Sequence, residues 1–424
     1  MITVAEISNV FKRAQIKGIL NQDEKSFVFY DLDMLKNKLE TAKNLFPDDT
    51  LHAVAVKTNP VKNIMSFISS AGMGFEAASL PEVYMALNSG VSPENIVFDS
   101  PSKTVEELIF ALDLGIYINA DSIMELERID QLLKTKKTNS SFGIRINPQV
   151  GLSSYNLLST SGALSKFGVP LDDMKDILAD CFEKYNWLSG VHVHVGSQGC
   201  DLDLIIKGVK KVFDFSCLVN ELQKKRGRQN TINTFDIGGG LSVQYSPNQP
   251  VASMDDYAEK LRTEMPELFN GEYKIITEFG RYFHGNCAWA VSKVEYVKRF
   301  EERNIAVIHL GADMFLRKCY NSKDEHHEIS VLDKYGAVKN GRDCRTYDIA
   351  GPLCFAGDII ARDLEMPEIV EGDYIVMHDV GANTFSMWSR HLSRPMPEIM
   401  GYIDNNFEIL KKRESISDVL RFWE

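Results

Sequence analysis

From about residue 50 the chain repeats one pattern eight times, and nothing else in it restricts the fold as tightly. A short apolar, β-rich run ends in polar or glycine residues, and a helical stretch follows. The runs are Ala53–Lys57, Gly74–Ser79, Asn95–Ser100, Gly115–Asp121, Ser141–Asn147, Gly190–Gly196, Thr234–Gly240 and Tyr273–Gly280. Apolar residues at helical spacing predict helices over Pro81–Leu87, Thr104–Leu114, Ile123–Leu133, Leu171–Lys184, Leu202–Lys225 and Met254–Leu268. Strands alternating with helices imply a parallel sheet. Eight such units imply a closed, TIM-like (β/α)8 barrel of roughly 250 residues, and residues 35–285 fit that size. After residue 285 the runs lose their helices: Ala288–Tyr296, Ile305–Leu310, Arg345–Ile349 and Asp373–His378 are separated by turn residues. The expected fold is therefore α/β plus all-β. The second, mostly antiparallel β domain, a sandwich or barrel, is built from residues 286–424 and 1–34, with the early strand Ser26–Asp31 joining it.

Composition bounds the function. The chain has 424 residues, 44% hydrophobic and 25% charged, with a formal net charge of -12. No basic stripe stands out, which argues against a nucleic-acid partner. No run approaches the roughly 20 apolar residues that span a bilayer, and the N-terminus lacks the form of a signal peptide. Seven cysteines without CxxC spacing fit a reducing cytoplasm better than a disulfide framework or a zinc site.

In such a barrel the chemistry lies at the C-terminal ends of the strands. The residues there are Lys57, Glu76, Ser79, Arg145, His192, His194, Ser197, Asp236, Gly238, Gly239, Gly240, Glu278 and Arg281. A lysine closing a buried strand, with Thr58-Asn59-Pro60 behind it, holds an amine at the rim of an apolar core. Desolvated there, an amine can lose its proton and attack a carbonyl; the plain alternative is a surface lysine. Three glycines after a strand leave backbone N–H groups open for an anion such as phosphate; the plain alternative is a tight turn into a helix. His192 and His194 fall on one strand face. They read either as metal ligands, or as a core histidine (His192) with a rim histidine that stacks on an aromatic cofactor (His194). Glu278 suits a pyridine nitrogen or a salt bridge to Arg281. In the β domain, Cys354 lies in the Gly/Pro-rich turn Gly351–Asp358, the best place among the seven for a reactive thiol.

These motifs, in this order, resemble the fold-type III pyridoxal-phosphate decarboxylases, the group that acts on diaminopimelate, ornithine and arginine. The likeness covers about residues 25–405. It is nearest to the diaminopimelate branch through His194-Val195-Gly196-Ser197-Gln198 and Asp236-Ile237-Gly238-Gly239-Gly240. The resemblance implies pyridoxal 5'-phosphate as cofactor and Lys57 as its covalent anchor. His194 would stack on the ring and Glu278 would face the ring nitrogen, with Glu76 close by. Ser197, Gly238, Gly239, Gly240 and Arg281 would cradle the phosphate. Cys354 would be the proton donor, brought by the neighbouring subunit of a homodimer with shared active sites. Arg281, Arg317, Tyr320 and Phe355 would meet the substrate.

Two departures bear on substrate. The family's acidic residue after the cysteine, which grips the far amine of a diamino acid, is here Phe355. A tyrosine near the phosphate is here Asn383. The expected activity is decarboxylation of an amino acid, foremost meso-diaminopimelate, giving L-lysine and CO2. The alternatives are a decarboxylase of a modified amino acid in siderophore or other secondary metabolism, a non-catalytic cofactor-binding relative, and a metal-dependent barrel hydrolase.

Overall fold

The barrel strands are short runs of mostly buried residues, and several carry a polar or charged side chain among them: His52, Glu76, Asn119 and Arg145. The computed structural model describes residues 1–424 except 21–23, 152–159, 229–230, 247, 302, 321–325 and 342. The strands Leu51–Ala55, Gly74–Ala77, Ile96–Asp99, Tyr117–Ala120, Phe142–Asn147, Leu188–His192, Thr234–Asp236 and Lys274–Thr277 pair in that order, all parallel. The last pairs with the first, Ile276 beside Leu51, and closes the ring. A two-residue piece, Val169–Pro170, adds to the edge of the fifth.

The barrel interior is filled by side chains. Leu51, Ala53, Val97, Tyr117 and Ile276 form one buried cluster. The Tyr117 ring reaches across to Gly190, where any side chain would collide with its hydroxyl. Glycine on that strand is a packing requirement.

Helices Ile123–Leu133, Leu171–Lys184 and Leu202–Lys225 occupy the residues their periodicity predicts. The predicted helix Met254–Leu268 instead breaks at Met265, so that Met254–Glu264 is followed by a separate 3-10 turn, Pro266–Phe269. The proline supplies no N–H to carry the α-helical ladder onward. Several loops leaving the strands end in a hydroxyl that caps the next helix: Ser79 accepts from Glu82 N–H, Thr104 from Glu107 and Ser122 from Glu125. Caps of this kind fix the path of the chain just beyond the strand ends.

By its internal packing the chain divides into two units: residues 36–243 with 251–283, and residues 1–35 with 244–250 and 284–424. The second unit is built on one connected sheet of nine strands with a branch, most of its pairings antiparallel. Strand Ser26–Asp31 lies inside it, antiparallel to Ala288–Arg299 and parallel to Glu398–Ile403. Phe29 stacks on Trp289 with ring centres 4.2 Å apart, in a core closed by Phe11 from the helix Val4–Ile16. Among the described residues, no helix is long and apolar enough to cross a membrane.

Candidate active site

Lys57 sits one turn beyond its strand. The strand stops at Ala55, and Val56–Thr58 make a single 3-10 turn. Thr58 Oγ1 donates to Ala55 O at 2.6 Å and the Asn59 N–H to Val56 O at 3.0 Å. The Thr-Asn-Pro breaker thus acts two residues earlier than the apolar pattern suggests. On the next strand Glu76 is level with Ala55, and Lys57 Nζ donates to Glu76 Oε2 at 2.6 Å. Glu76 is completely buried, while the Lys57 side chain is half exposed. Burial alone would drive the proton off the amine. The carboxylates of Glu76, Glu278 and Asp99 outweigh it and hold the ammonium above its usual range. Lys57 is thus an ion-pair partner of Glu76. Burial also raises the Glu76 carboxyl, against the pull of Lys57.

Across the barrel, register sets Arg145, His192 and Asp236 level on three adjoining strands. His192 is the last residue of its strand. His194 therefore lies in the following loop rather than on the strand with it. His192 Nε2 is 3.2 Å from Glu278 Oε2, and its Nδ1 is 3.6 Å from Asp99 Oδ2. Arg145 Nη1 donates to Asp99 Oδ2 at 3.1 Å. Burial would raise the Glu278 carboxyl, but His192 more than reverses this and holds it far below the carboxylate range. His194 is pushed the other way, to about 3, by burial and by the charges of Arg145 and Lys57, so its ring is neutral.

The glycine run differs from its sequence reading. Gly238 and Gly240 adopt φ of 64° and 104°, the left-handed region that glycine enters freely. A Cβ on Gly239 would strike the Glu278 carbonyl, and one on Gly240 the Gly196 carbonyl. Among the described residues no helix follows until Met254, so a tight turn into a helix is not the cause. Two of the three N–H groups expected to be open are engaged. Gly238 donates to Asp236 Oδ1 at 2.9 Å and Gly239 to His194 Nδ1 at 3.2 Å. The second bond fixes the His194 ring. Arg281 Nε donates to Ser197 Oγ at 3.3 Å, which sets a cation and a hydroxyl side by side for an anion.

His192, His194 and Glu278 bring possible ligand atoms within 4.8 Å of one another. His192 faces carboxylates through both ring nitrogens, and its proton is retained up to about pH 9. A cation at this cluster would first have to displace that proton.

The remaining expected residues belong to the β unit. Cys354 is exposed. Phe355 stacks on Tyr320, centres 5.1 Å apart. Tyr320 ends the short helix Leu316–Tyr320, which also carries Arg317. The turn around Cys354 is organised by Asp358, whose carboxylate accepts the N–H groups of Ala312 at 2.5 Å and Leu353 at 2.6 Å. Asn383 has φ of 56°, a conformation asparagine tolerates far better than a bulky residue. Sequence reasoning missed Asp99 and Asp358 altogether, and it set His192 aside as core packing. An aspartate ending a buried strand was the available signal for Asp99.

Residues 32–285 match the family described as pyridoxal-dependent decarboxylase, pyridoxal binding domain. The diaminopimelate decarboxylase of Helicobacter pylori strain J99 is 30% identical over 406 residues, spanning 93% of this chain and 94% of that protein. The diaminopimelate decarboxylase of Aquifex aeolicus is also 30% identical, over 91% of this chain and 88% of that one. The crystal structure of the Helicobacter pylori enzyme complexed with L-lysine superposes with a TM-score of 0.82 at 28% identity, over 96% of this chain and 99% of that one.

Proposed function

The chain belongs to the pyridoxal-dependent decarboxylases, and on that premise we propose that it converts meso-diaminopimelate to L-lysine and CO2. As a member it is a pyridoxal-phosphate-dependent carboxy-lyase. The substrate rests on one observation above others: diaminopimelate decarboxylases align along nearly all of the chain at 30% identity.

The residues present fit the cofactor. Glu278 is buried, and its Oε1 has no hydrogen-bond partner among the described residues; a protonated ring nitrogen would satisfy it. Ser197, Arg281 and the backbone of Gly240 suit the phosphate, the Gly238 and Gly239 N–H groups being engaged already by Asp236 and His194, and the neutral ring of His194 suits stacking on an aromatic face. When bound, pyridoxal phosphate supplies a sink for the electrons left on Cα as CO2 departs. Lys57 would be its covalent anchor, through the aldehyde carbon. Glu76 keeps Lys57 in place between turnovers. Glu278 keeps the ring nitrogen protonated, which deepens the sink. Arg281, Arg317 and Tyr320 orient the substrate, and Asn383 stands near the phosphate. Cys354 of the partner subunit returns a proton to Cα, so the enzyme works as a homodimer with shared active sites. In this reading residues 35–285 bind the cofactor, residues 1–34 and 286–424 form the β domain, and the enzyme works in the cytoplasm.

Phe355 motivates a second reading, a decarboxylase of a modified amino acid. An aromatic ring cannot pair with an ammonium by charge, though its face attracts one weakly. The test is CO2 release, with added pyridoxal phosphate, from meso-diaminopimelate, L- and D-lysine, L- and D-ornithine, arginine and a citryl-type diamino acid. Release from meso-diaminopimelate with formation of L-lysine is the expected result. Release from another member alone would transfer the proposal to the second reading.

A further inference from the structure

His192 is completely buried between two acids, with Glu278 Oε2 at 3.2 Å from one ring nitrogen and Asp99 Oδ2 at 3.6 Å from the other. Asp99 is held in turn by Arg145. The charges along this line alternate: Arg145 positive, Asp99 negative, His192 positive, Glu278 negative. Each comes from a different part of the barrel wall. Asp99 ends the third strand, Arg145 lies on the fifth, His192 ends the sixth, and Glu278 follows the eighth.

A neutral imidazole carries one N–H and one lone pair. Between two carboxylates it would aim that lone pair at one of them. Neither contact is a hydrogen bond among the described residues, but an imidazolium between the two acids is attracted by both, where a neutral ring is not. Asp236, level with His192 on the next strand, has its own carboxyl raised well above the usual range by burial and by Glu278, so it is no fixed member of this line of charge. It is held separately by Asn119 Nδ2 at 2.9 Å and by the Gly238 N–H. Burial alone would remove the His192 proton, but Glu278, Asp236 and Asp99 outweigh it and raise the group to about 9.

We infer that His192 is a positioning residue: as an imidazolium anchored through Asp99 and Arg145, it keeps Glu278 ionised and aimed at the ring nitrogen of the cofactor. This rests on the assignment of Glu278 made above. It extends the line of alternating charge by one member, because the protonated ring nitrogen is the next positive group. Its consequence is that the strength of the electron sink is set by a residue that touches neither substrate nor cofactor.

Two measurements test it. In the cofactor-free protein, nitrogen NMR of labelled histidines should show both ring nitrogens of His192 protonated at neutral pH. Asp99→Asn should lower the pH at which that proton leaves. A neutral His192 ring in the unmutated protein overturns the inference. In the holoenzyme, His192→Gln should lower kcat about 10- to 100-fold, the usual size when a group that orients a catalytic partner is lost. KM should stay within about twofold, as expected for an interaction felt mainly in the transition state, and the cofactor absorbance band should shift. Unchanged kcat and spectrum, with Glu278→Gln impaired, would overturn the role of His192 alone. If both variants behave as the unmutated enzyme, the assignment of Glu278 fails and the inference with it. Should His192→Gln not fold, the NMR comparison of the unmutated and Asp99→Asn proteins decides.

Discussion

The two units of this chain hold their functional side chains by opposite means. At the end of the barrel, Glu76, His192 and Glu278 are buried, and side-chain charge fixes them: Lys57 on Glu76, His192 on Glu278, Arg145 on Asp99. In the β unit, Cys354 and Tyr320 are exposed, and backbone groups shape their surroundings. Asp358 gathers two N–H groups, and Asn383 turns the chain at positive φ. A buried set of alternating charges has few satisfactory arrangements, because an unpaired buried charge is costly. It suits the part of the reaction that every family member shares. Side chains on hydrogen-bonded turns outside a core can be exchanged more freely, and the departures from the family, Phe355 and Asn383, both half-buried, fall in this unit.

The largest expected effect breaks the barrel side. Lys57→Ala should lower turnover by about a thousandfold or more and abolish covalent retention of the cofactor, read by CO2 release and by absorbance after gel filtration. Normal turnover in this variant would remove the carbonyl-reactive role. Next, Cys354→Ala should slow product formation about a hundredfold, the scale of a lost general acid, with cofactor binding and melting temperature unchanged because the thiol is exposed. An unchanged rate and product profile would contradict its role as proton donor.

The third variant separates the two means directly. Asp358→Ala leaves the N–H groups of Ala312 and Leu353 without their buried acceptor, at a cost of about 2–4 kcal/mol for the two. Thermal unfolding should show the loss, and turnover should fall as the Cys354 turn loosens. Cofactor binding to Lys57 should persist, because the barrel site does not depend on that turn. Loss of cofactor together with turnover would show that the two means are not separate.

The smallest effect is the response to acid. Burial holds His52 near 4 and, with Arg145 and Lys57, His194 near 3, whereas an unfolded histidine titrates near 6.5. Below about pH 6.5 the unfolded chain therefore binds protons that the folded chain refuses. Each residue then removes up to about 1.4 kcal/mol of stability per pH unit until its folded pKa is reached. Denaturant midpoints of the cofactor-free protein at neutral and mildly acidic pH should show this, and His52→Gln should reduce the slope. Glu76 and Asp313, raised by burial to about 7 and about 6, take up protons in the same window and oppose this. The difference between the two proteins is therefore the readout: a slope that His52→Gln leaves unchanged would contradict the burial of that neutral ring.

The barrel was legible because its signal is local. Eight apolar runs separated by helical spacing admit few folds, and glycine or polar residues at their ends mark the functional rim. The ends themselves were overread by up to four residues, as with the run Gly190–Gly196 against the strand Leu188–His192, since glycine and polar residues at a strand end do not themselves mark where pairing stops. In the β unit, Ile359–Pro367 and Asn406–Lys411 left no long apolar run to find, whereas Glu398–Ile403, with Ile399, Met400, Tyr402 and Ile403, carried one that was overlooked. The first carries Arg362, Asp363 and Glu365 among its apolar residues and is half exposed, as befits the end of a sheet path. The link from Arg145 through Asp99 and His192 to Glu278 was not legible. It arises only when four separate segments close into a ring, and no spacing along the chain encodes which of their side chains meet.

The most direct measurement is borohydride reduction of the pyridoxal-phosphate-loaded protein followed by peptide mapping. The account requires the pyridoxyl group on the peptide that contains Lys57, one group per chain. A label on another lysine, or none at all in a protein that still releases CO2, would contradict it.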